Sequence, residues 1–428
     1  MSKVNMMSAK DKKKGSQVPR LRFPEFLNAE EWEAKRLGEL FSERQETNFP
    51  SLPLLSLTER NGIIPQEQGS RANTASGDKS KYLRVIPGDI AYNTMRMWEG
   101  RSALVGLEGI VSPAYTVCIP QKGNSSSFFS YYFKTQILIE KFHRYSQGLV
   151  NDTLNLKFKA FEKITVFSPR SFREQQKIAD CLSSLDERIA AETNKLDALK
   201  AHKKGLLKQL FPAEGETLPQ LRFPKFRNAG EWEEKNFRNI CEKIMDGTHF
   251  SPKSKCGPFL YITSKNIQNG LLDLSNASSI SEEEHRQIFA KCPVKINDIL
   301  LTKDGANTGN CALNNLDFEF SLLSSVAVLR CKKGCIIQEF LYYTIASPFF
   351  QKKIKESISG QAITRITLEK IGSYRIFSPK EFEQQRIADC LSSLDELITA
   401  QSQKIELLKD HKKGLMQQLF PRIDEVRA

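Results

Sequence analysis

The stretch "QQKIADCLSSLDERI" (residues 175–189) governs the interpretation of this chain, because it occurs almost unchanged a second time as "QQRIADCLSSLDELI" (384–398). The longer segments 175–212 and 384–421 are identical at 26 of 38 positions. An internal repeat at such a long spacing indicates that one structural unit is built twice. The 428 residues are enough for two or three domains.

Apolar residues in both copies recur at alternating three- and four-residue steps, which predicts two long helices with a coiled-coil seam. Polar residues interrupt this seam at equivalent places, Glu192 and Lys203 in the first copy and Gln401 and Lys412 in the second. The predicted seam comprises Ile178, Leu182, Leu185, Ile189, Leu196, Leu199, Ile387, Leu391, Leu394, Ile398, Ile405 and Leu408.

End signals flank both predicted helices. Ser171 with Glu174, and Ser378 with Glu381, have the spacing of a capping box. Each repeat ends in Phe-Pro, and proline stops a helix.

An apolar seam requires a partner, and two similar helices in one chain provide one. Pairing within the chain is favoured by high effective concentration. The order of the elements favours an antiparallel pair, in which the second helix runs back along the first. The sequence therefore predicts one globular region at each end of an antiparallel coiled coil, with pseudo-twofold symmetry. A homodimeric coiled coil is the alternative.

A second repeated element precedes each helix. "LRFPEFLNAEEWEAK" (21–35) matches "LRFPKFRNAGEWEEK" (221–235), and we name these two segments the LRFP blocks. Each block stands before one variable region and one predicted long helix, so the chain consists of two tandem halves. The predicted organisation is a disordered basic tail (1–20), a first domain (21–169), a first long helix (170–213), a second domain (214–378), a second long helix (379–421) and a short tail (422–428).

The regions between block and helix differ in sequence but share a pattern. "VIPGDIAYNTM" (85–95) resembles "VKINDILLTKD" (294–304), and "FFSYYFKTQ" (128–136) resembles "EFLYYTIAS" (339–347). β-branched and aromatic runs separated by Gly, Asn and Asp predict short strands, and the second pair of segments predicts helices. Each region is therefore expected to be a mixed α/β domain.

The charge balance favours a polyanionic partner, with nucleic acid first. The net charge is +13, of which the tail 1–20 contributes +5 from six Lys or Arg and one Asp. Arg, Lys, Asn, Ser and Thr are the residue types that contact phosphates and base edges. Those that follow the shared strands are the candidate DNA-binding residues, namely Asn93, Thr94, Arg96, Arg101, Ser264, Lys265, Asn266, Thr302, Lys303 and Asn307.

Motifs for catalysis are weak. Glu33 and Lys35, like Glu233 and Lys235, have the Glu-x-Lys spacing that some Mg-dependent nucleases use, but only the first copy has a nearby upstream acid, Glu25. No spacing of Cys and His predicts a metal site. We expect no catalytic residue and no cofactor in this chain. A stand-alone nuclease remains the alternative, and a coiled-coil scaffold without a nucleic-acid role is another.

No apolar run approaches the roughly 18–20 residues that span a membrane. The N-terminal segment lacks the apolar core of a secretory signal. A cytoplasmic protein is therefore expected.

The repeated motifs resemble those of one known family. The "LRFPEF…EW" block, the "EQQ" helix start with "LSSLDE", and the "HKKGL" helix end with "QLFP" occur in that order twice between residues 21 and 421. In this the chain is similar to the specificity subunits of type I restriction–modification enzymes, which act in defence against foreign DNA.

The resemblance implies two target-recognition domains, each recognising one half of a split double-stranded DNA sequence, and a coiled coil that sets the gap. It implies two modification subunits that use S-adenosylmethionine to methylate adenine, and restriction subunits that use ATP and Mg²⁺. It also implies that the specificity subunit itself is not catalytic.

Overall fold

The structure is a computed structural model that describes residues 16–58, 62–68, 77–268, 270–358 and 365–421. The chain divides into two compact units, Met1–Glu192 with Lys404–Ala428, and Thr193–Gln403. Each unit therefore contains one α/β domain and parts of both long helices. The predicted tails 1–20 and 422–428 lie largely or wholly outside the described residues, although Ser16–Gln17 form a strand.

The domain of the first unit is built around an antiparallel sheet. Its elements are β1 (Ser16–Gln17), β2 (Trp32–Arg36), α1 (Leu37–Leu40), β3 (Phe41–Glu43), β4 (Leu55–Thr58), β5 (Gly62–Pro65), β6 (Leu83–Val85), β7 (Ile90–Asn93), β8 (Ser102–Leu104), β9 (Gly109–Val111), β10 (Tyr115–Pro120), α2 (Ser126–Tyr132), α3 (Gln136–Tyr145), α4 (Phe158–Phe161) and β11 (Thr165–Ser168). The central sheet has the order β3-β10-β7-β8, and β2 pairs with both β1 and β11. Smaller pairs are β4 with β5 and β6 with β9.

The first long helix, α5 (Phe172–Gln209), leads into the second unit, whose domain repeats this plan. Its elements are β12 (Glu233–Asn236), α6 (Phe237–Ile240), β13 (Cys241–Asp246), β14 (Phe259–Ile262), β15 (Ile267–Gln268), β16 (Leu271–Leu272), β17 (Ser278–Ile280), α7 (Glu282–Phe289), β18 (Ile299–Thr302), β19 (Cys311–Leu313), β20 (Ser321–Leu322), β21 (Val326–Cys331), α8 (Gln338–Ala346), α9 (Pro348–Ile358), α10 (Leu368–Ser373), β22 (Arg375–Ser378) and the second long helix α11 (Glu381–Leu419). The central sheet has the order β13-β21-β18-β19. It matches the central sheet of the first unit strand for strand, and β12 pairs with β22 as β2 pairs with β11.

Both faces of the central sheet are buried, which follows from the two-residue period of a strand. In β7, Ile90 and Tyr92 pack into the core that includes α2 and α3, whereas Ala91 faces a second core formed with β4, β5, β6 and β9. In β18, Ile299 and Leu301 face the helical core and Leu300 the opposite one. The near-continuous apolar character of these strands is explained by this double burial.

The segments 128–136 and 339–347 are largely helical in the two domains, but their residues correspond in a different register from the one that the sequence comparison suggested. Phe128 packs against Trp32 and Phe420, and Phe340 packs against Trp232 and Phe211. Phe128 is thus the structural equivalent of Phe340, whereas the sequence comparison set it against Glu339. The pairing was wrong by one residue, because local similarity does not show which side chain contacts the core.

The two long helices lie antiparallel. In the first unit, Lys412 of α11 contacts Asp186 of α5 at 2.5 Å, and Lys404 pairs with Glu192. Residue numbers therefore rise along α5 where they fall along α11, so the chain runs in opposite directions through the two helices. In the second unit, Lys203 of α5 contacts Asp395 of α11 at 2.5 Å. All twelve predicted seam side chains are buried or half-buried, as a packed seam requires. The predicted class is confirmed: a mixed α/β protein with two similar domains and an intramolecular antiparallel helix pair.

The LRFP blocks anchor each domain to the start of a long helix. Arg22 forms a bidentate ion pair with Glu174 of α5, with Nε–Oε1 and Nη2–Oε2 distances of 2.7 Å. Arg222 forms the equivalent pair with Glu383 of α11, at 2.8 and 2.6 Å. All four side chains are at most 8% exposed. Repetition of the block is thereby explained as repetition of a buried contact.

The starts of the long helices differ. The backbone N–H of Glu174 donates to Ser171 Oγ at 3.4 Å, so Ser171 caps α5. The other half of the predicted capping box is not formed, because the Glu174 carboxylate pairs with Arg22. The matching prediction for α11 was wrong: Ser378 is the last residue of β22, and its hydroxyl accepts from Gln384 Nε2. The sequence spacing was misleading because the helix begins only at Glu381.

Replacing Ser171 by Ala should therefore destabilise the first unit by about 1 kcal/mol, the usual effect of removing an N-cap. Urea unfolding with hydrogen–deuterium exchange resolved by peptide measures the effect in that unit. The exposed Ser184, on the same helix, is the matched control. Equal effects of Ser171→Ala and Ser184→Ala would contradict the assignment of the cap.

Candidate DNA interface

In the first unit, the candidate residues lie on the turn between β7 and β8. Asn93 Oδ1 accepts from the N–H of Met95 at 3.0 Å, and the buried Thr94 hydroxyl donates to the carbonyl of Ala114 at 2.9 Å. These two polar side chains therefore shape the turn. Their position at the end of a buried strand was predicted correctly, but Thr94 presents little surface to a ligand.

Two arginines and a carboxylate give this turn its charge. Arg96 Nη1 and Arg101 Nε contact opposite oxygens of Glu99 at 3.0 and 2.9 Å. The side chains of Arg96 and Arg101 are 53% and 32% exposed. Met95 beside them is 44% exposed, and Trp98 Nε1 donates to its carbonyl. The turn thus presents two guanidinium groups with remaining donors, the groups that bind phosphate and guanine.

In the second unit, the structure brings Ser264, Lys265 and Asn307 together. Asn307, on the turn between β18 and β19, donates through Nδ2 to the carbonyl of Ser264 at 3.4 Å. Ser264 and Lys265 line a cleft of about 620 Å³ that also includes Asp273 and Asp304. Lys265 is exposed and Ser264 half-buried.

The cleft combines one cation with two carboxylates. Hydrogen bonds from the hydroxyl and the backbone N–H of Ser275 lower the pKa of Asp273, which keeps that carboxylate ionised. Asp304 Oδ1 contacts Arg365 Nε at 3.4 Å. Carboxylates repel phosphates but accept hydrogen bonds from the amino groups of cytosine and adenine. The cleft therefore suits base edges better than the phosphate backbone.

Three other candidates of the second unit are buried. Asn266 accepts from the N–H of Thr263 and donates to the carbonyl of Asp273. Thr302 is fully buried, and Lys303 is 2% exposed with its Nζ 3.1 Å from Asp246. Asn266 and Lys303 are engaged by neighbouring segments, and Thr302 Oγ1 has no hydrogen-bond partner among the described residues, so all three side chains present little surface to DNA in this structure. Sequence showed their polarity but not the direction in which they point.

The two candidate surfaces occupy the same place in the two domains. The first lies on the β7–β8 turn, and the second includes the equivalent β18–β19 turn together with Ser264 and Lys265, which follow β14. The turn of the first unit carries Met, Trp and Arg side chains, whereas that of the second carries Asp, Gly, Ala and Asn. One scaffold therefore presents two chemically different surfaces.

The carboxylates of the first Glu-x-Lys segment and of its upstream acid are engaged in ion pairs. Glu33 pairs with Lys35 and Arg170, and Glu25 pairs with Lys177. Over the described residues, no group of three or more His, Cys, Asp or Glu is placed to hold a metal ion. The same part of the chain contains no helix with the length and apolarity needed to cross a membrane.

Comparison with known proteins identifies what the repeated units resemble. The model of the family described as type I restriction modification DNA specificity domain matches twice, at residues 29–201 and 229–410. Each match covers one domain and most of the following long helix, so the family unit corresponds to the repeat.

Curated relatives are similar over nearly the full length or over part of it. The chain is 25% identical over 408 residues to the type I restriction enzyme MjaVIII specificity subunit of Methanocaldococcus jannaschii, covering 91% of this chain and 92% of that one. The HindI specificity subunit of Haemophilus influenzae is 27% identical over 143 residues, about a third of each chain.

Solved structures show the same fold. The type I restriction–modification S subunit from M. genitalium superposes with a TM-score of 0.58 and 16% identity, covering 95% of this chain and 100% of that one. A chain from a structural study of complex assembly and conformational transition in the type I restriction–modification system gives a TM-score of 0.54 at 17% identity, covering 91% and 97%.

Proposed function

Because the chain belongs to the family of type I restriction–modification DNA specificity domains, we propose that it selects a bipartite double-stranded DNA target for a type I restriction–modification complex. Each unit contacts one half of the target, and the antiparallel helix pair sets the unspecified gap between the halves. Adenine methylation and restriction are then carried out by partner subunits at or from the selected site.

The observation that carries this proposal is the pair of equivalent turns with different chemistry. A single-site binder would not need two copies of one scaffold. Two scaffolds with different surfaces suit two different DNA half-sites, which we call the two words of the target. Base edges are distinguished by the donors and acceptors that a protein presents. The exposed arginines of the first turn suit guanine and phosphate, and the cleft of the second unit suits bases with amino groups.

Partner binding follows from the parts that are alike in both units. The faces of the long helices outside the seam, the LRFP blocks and the helix ends recur in each unit. Like surfaces bind like partners, so the complex should contain two copies of one modification subunit. Those subunits would bind S-adenosylmethionine, and restriction subunits would bind ATP and Mg²⁺. This chain would supply recognition and no catalytic residue.

Methylome sequencing of a strain with and without the gene tests the proposed function directly. The expected result is one methylated motif that consists of two short words and a fixed gap, and that disappears with the gene. A methylome that does not change on deletion would contradict the proposal. Cleavage of plasmid DNA by the purified chain with Mg²⁺ alone would instead favour the nuclease alternative.

Lys265 provides a test of the DNA interface at the level of one residue. Replacing it by Gln in the complex with modification subunits should weaken binding to the native target about 5- to 150-fold, the effect of losing 1–3 kcal/mol of base or phosphate contact. If Lys265 contacts a base, selectivity should relax only in the word of the second unit. If it contacts phosphate, all sequences should weaken alike and the salt dependence should decrease.

The control is Lys355→Gln, which removes an exposed lysine on α9 that does not line the cleft. Binding is measured on a library in which either word is varied. An effect confined to the word of the first unit, or equal effects of both substitutions, would contradict the assignment of the cleft.

A further inference from the structure

A polar cluster joins the first domain to both long helices. The Tyr131 hydroxyl, on α2, donates to Asp186 Oδ2 of α5 at 2.8 Å. Lys412 of α11 contacts the same carboxylate at 2.5 and 2.6 Å, and its Nζ lies 5.0 Å from the centre of the Tyr131 ring. One carboxylate therefore connects the domain and the two helices. We name these residues the first Tyr–Asp–Lys cluster.

The second unit repeats this cluster with the helices exchanged. Tyr343, on α8, donates to Asp395 Oδ2 of α11 at 2.8 Å. Lys203 of α5 contacts Asp395 Oδ1 at 2.5 Å, and its Nζ lies 5.5 Å from the centre of the Tyr343 ring. In the first unit α5 supplies the aspartate and α11 the lysine, and in the second unit the roles are reversed. Asp186 and Asp395 hold the same place in the repeat, as do Lys203 and Lys412.

These lysines are two of the residues that interrupt the apolar seam. An interruption weakens a coiled coil, but a polar group at a single seam position can fix register and geometry at some cost in stability. Here each lysine contacts a carboxylate of the other long helix and a tyrosine ring of the domain, so the full set of contacts forms when the domain, α5 and α11 are all in place. Burial and the Asp186 carboxylate raise the pKa of Tyr131, so its hydroxyl keeps the proton that it donates.

The cluster differs in kind from the apolar packing around it. Contacts among Leu, Phe and Trp hold the domain on the helices but have little directional preference. A hydrogen bond and an ion pair on one carboxylate restrict the angle, since such bonds weaken steeply when misaligned. Asp186 and Asp395 are 45% and 35% exposed, so solvent screening limits their contribution to stability. The clusters can therefore control geometry without dominating stability.

We propose that Tyr131, Asp186 and Lys412, and equally Tyr343, Asp395 and Lys203, are positioning residues that fix the angle of each target-recognition domain on the helix pair and so determine which gap length is accepted. This inference rests on the proposed function. Neither cluster contacts DNA in this account. Each acts through the placement of the domain that does.

The test uses the complete chain in complex with its modification subunits. Methylation is measured on a DNA library with both native words and gaps from two base pairs shorter to two base pairs longer than the native gap. The variants are Asp186→Ala, Asp395→Ala and both together. Asp180→Ala and Asp389→Ala are matched controls, since these exposed residues occupy equivalent places on the same helices. In the described contacts their carboxylates accept only from Gln176 and Gln385.

We expect each Asp→Ala substitution to reduce the preference for the native gap over its neighbours at least tenfold, and the double substitution to reduce it further. Both words should be retained, and the control variants should behave as the unaltered chain. Tyr131→Phe removes a single hydroxyl and should produce a smaller broadening in the same direction. Because this variant keeps the aromatic packing, it tests the proposal even if Asp186→Ala folds poorly.

A conservative variant separates positioning from bulk stability. Asp186→Asn retains an acceptor for Tyr131 and should keep a gap preference within about threefold of the unaltered chain, even if its thermal stability falls as far as that of Asp186→Ala. An unchanged gap preference in Asp186→Ala, Asp395→Ala and the double variant would overturn the proposal, as would a change in the words themselves. If the unaltered complex shows no gap preference at all, the proposed function fails instead.

Discussion

Replacing Arg22 by Met is expected to lower the free energy of unfolding of the first unit by about 3–5 kcal/mol, the range seen when one partner of a buried ion pair is removed. Glu174 would be left 2% exposed with no cation to neutralise it. The substitution also removes hydrogen bonds from Arg22 to the carbonyls of Ala29 and Glu30. Among the described contacts, the Trp32 indole alone would still donate to the Glu174 carboxylate, at 3.2 Å.

The second unit supplies a matched experiment. Arg222→Met leaves Glu383 3% exposed with no cation beside it, and among the described contacts the Trp232 indole N–H does not donate to that carboxylate as Trp32 does to Glu174. The substitution should therefore destabilise the second unit by at least as much while leaving the first unaffected. Urea titration monitored by peptide-resolved hydrogen–deuterium exchange assigns each loss to a unit. Combining Arg22→Met with Glu174→Leu should recover much of the loss, because no uncompensated charge remains. Losses below about 1 kcal/mol for both single variants would show that the LRFP blocks are anchored by other contacts.

The parts of the fold that depend on periodicity could be predicted from sequence. The 3.5-residue repeat predicted both long helices, and the order of the repeats predicted their antiparallel pairing. Short apolar runs such as residues 90–93 and 299–302 were expected as strands, and both are central strands. In each case the pattern lies within one segment, and a local pattern is visible in a single sequence.

Contacts between distant segments were not predicted. Arg22 and Glu174 are 152 positions apart, and each is one polar residue among many. The available signal was that both recur, as Arg222 and Glu383, in the second half. The Tyr–Asp–Lys clusters were hidden for the same reason, although the lysines were visible as interruptions of the seam. Repetition marked these residues, but only the fold shows that they touch.

The candidate DNA-binding residues differ in whether the fold leaves their side chains accessible. Arg96, Arg101 and Lys265 present accessible side chains, whereas Thr302 and Lys303 are buried. Residue type indicates what a side chain can bind but not whether it faces solvent. Lys303 illustrates the difference, since burial beside Asp246 converts a candidate phosphate ligand into a support for the turn.

A heptad insertion in both long helices should change the DNA target in a defined way. Seven residues placed after Asn194 in α5 and after Gln403 in α11 preserve the seam and lie opposite each other in the antiparallel register. The insertion lengthens the helix pair by about 10 Å at ~1.5 Å per residue. At ~1.7 Å of DNA axis per phosphate charge, or ~3.4 Å per base pair, this corresponds to about three base pairs.

The effect on the native target should be large. A gap that no longer matches leaves only one half of the target bound, so affinity should fall towards the non-specific level, a loss on the order of 10³-fold or more. About three base pairs is also roughly a third of a helical turn, since a turn contains 10–10.5 base pairs. The binding optimum must therefore be sought across a range of gaps. Inserting seven residues in α5 alone is the control, because helices of unequal length cannot pair in the native register along both units.

Methylation of a DNA library by the complex with both insertions tests the central claim, that the helix pair sets the gap while the two domains recognise the words. The library holds every gap up to five base pairs longer than the native one, with both words varied. We predict that the preferred gap increases by about three base pairs and that both words stay the same. An unchanged gap, or altered words, would contradict it.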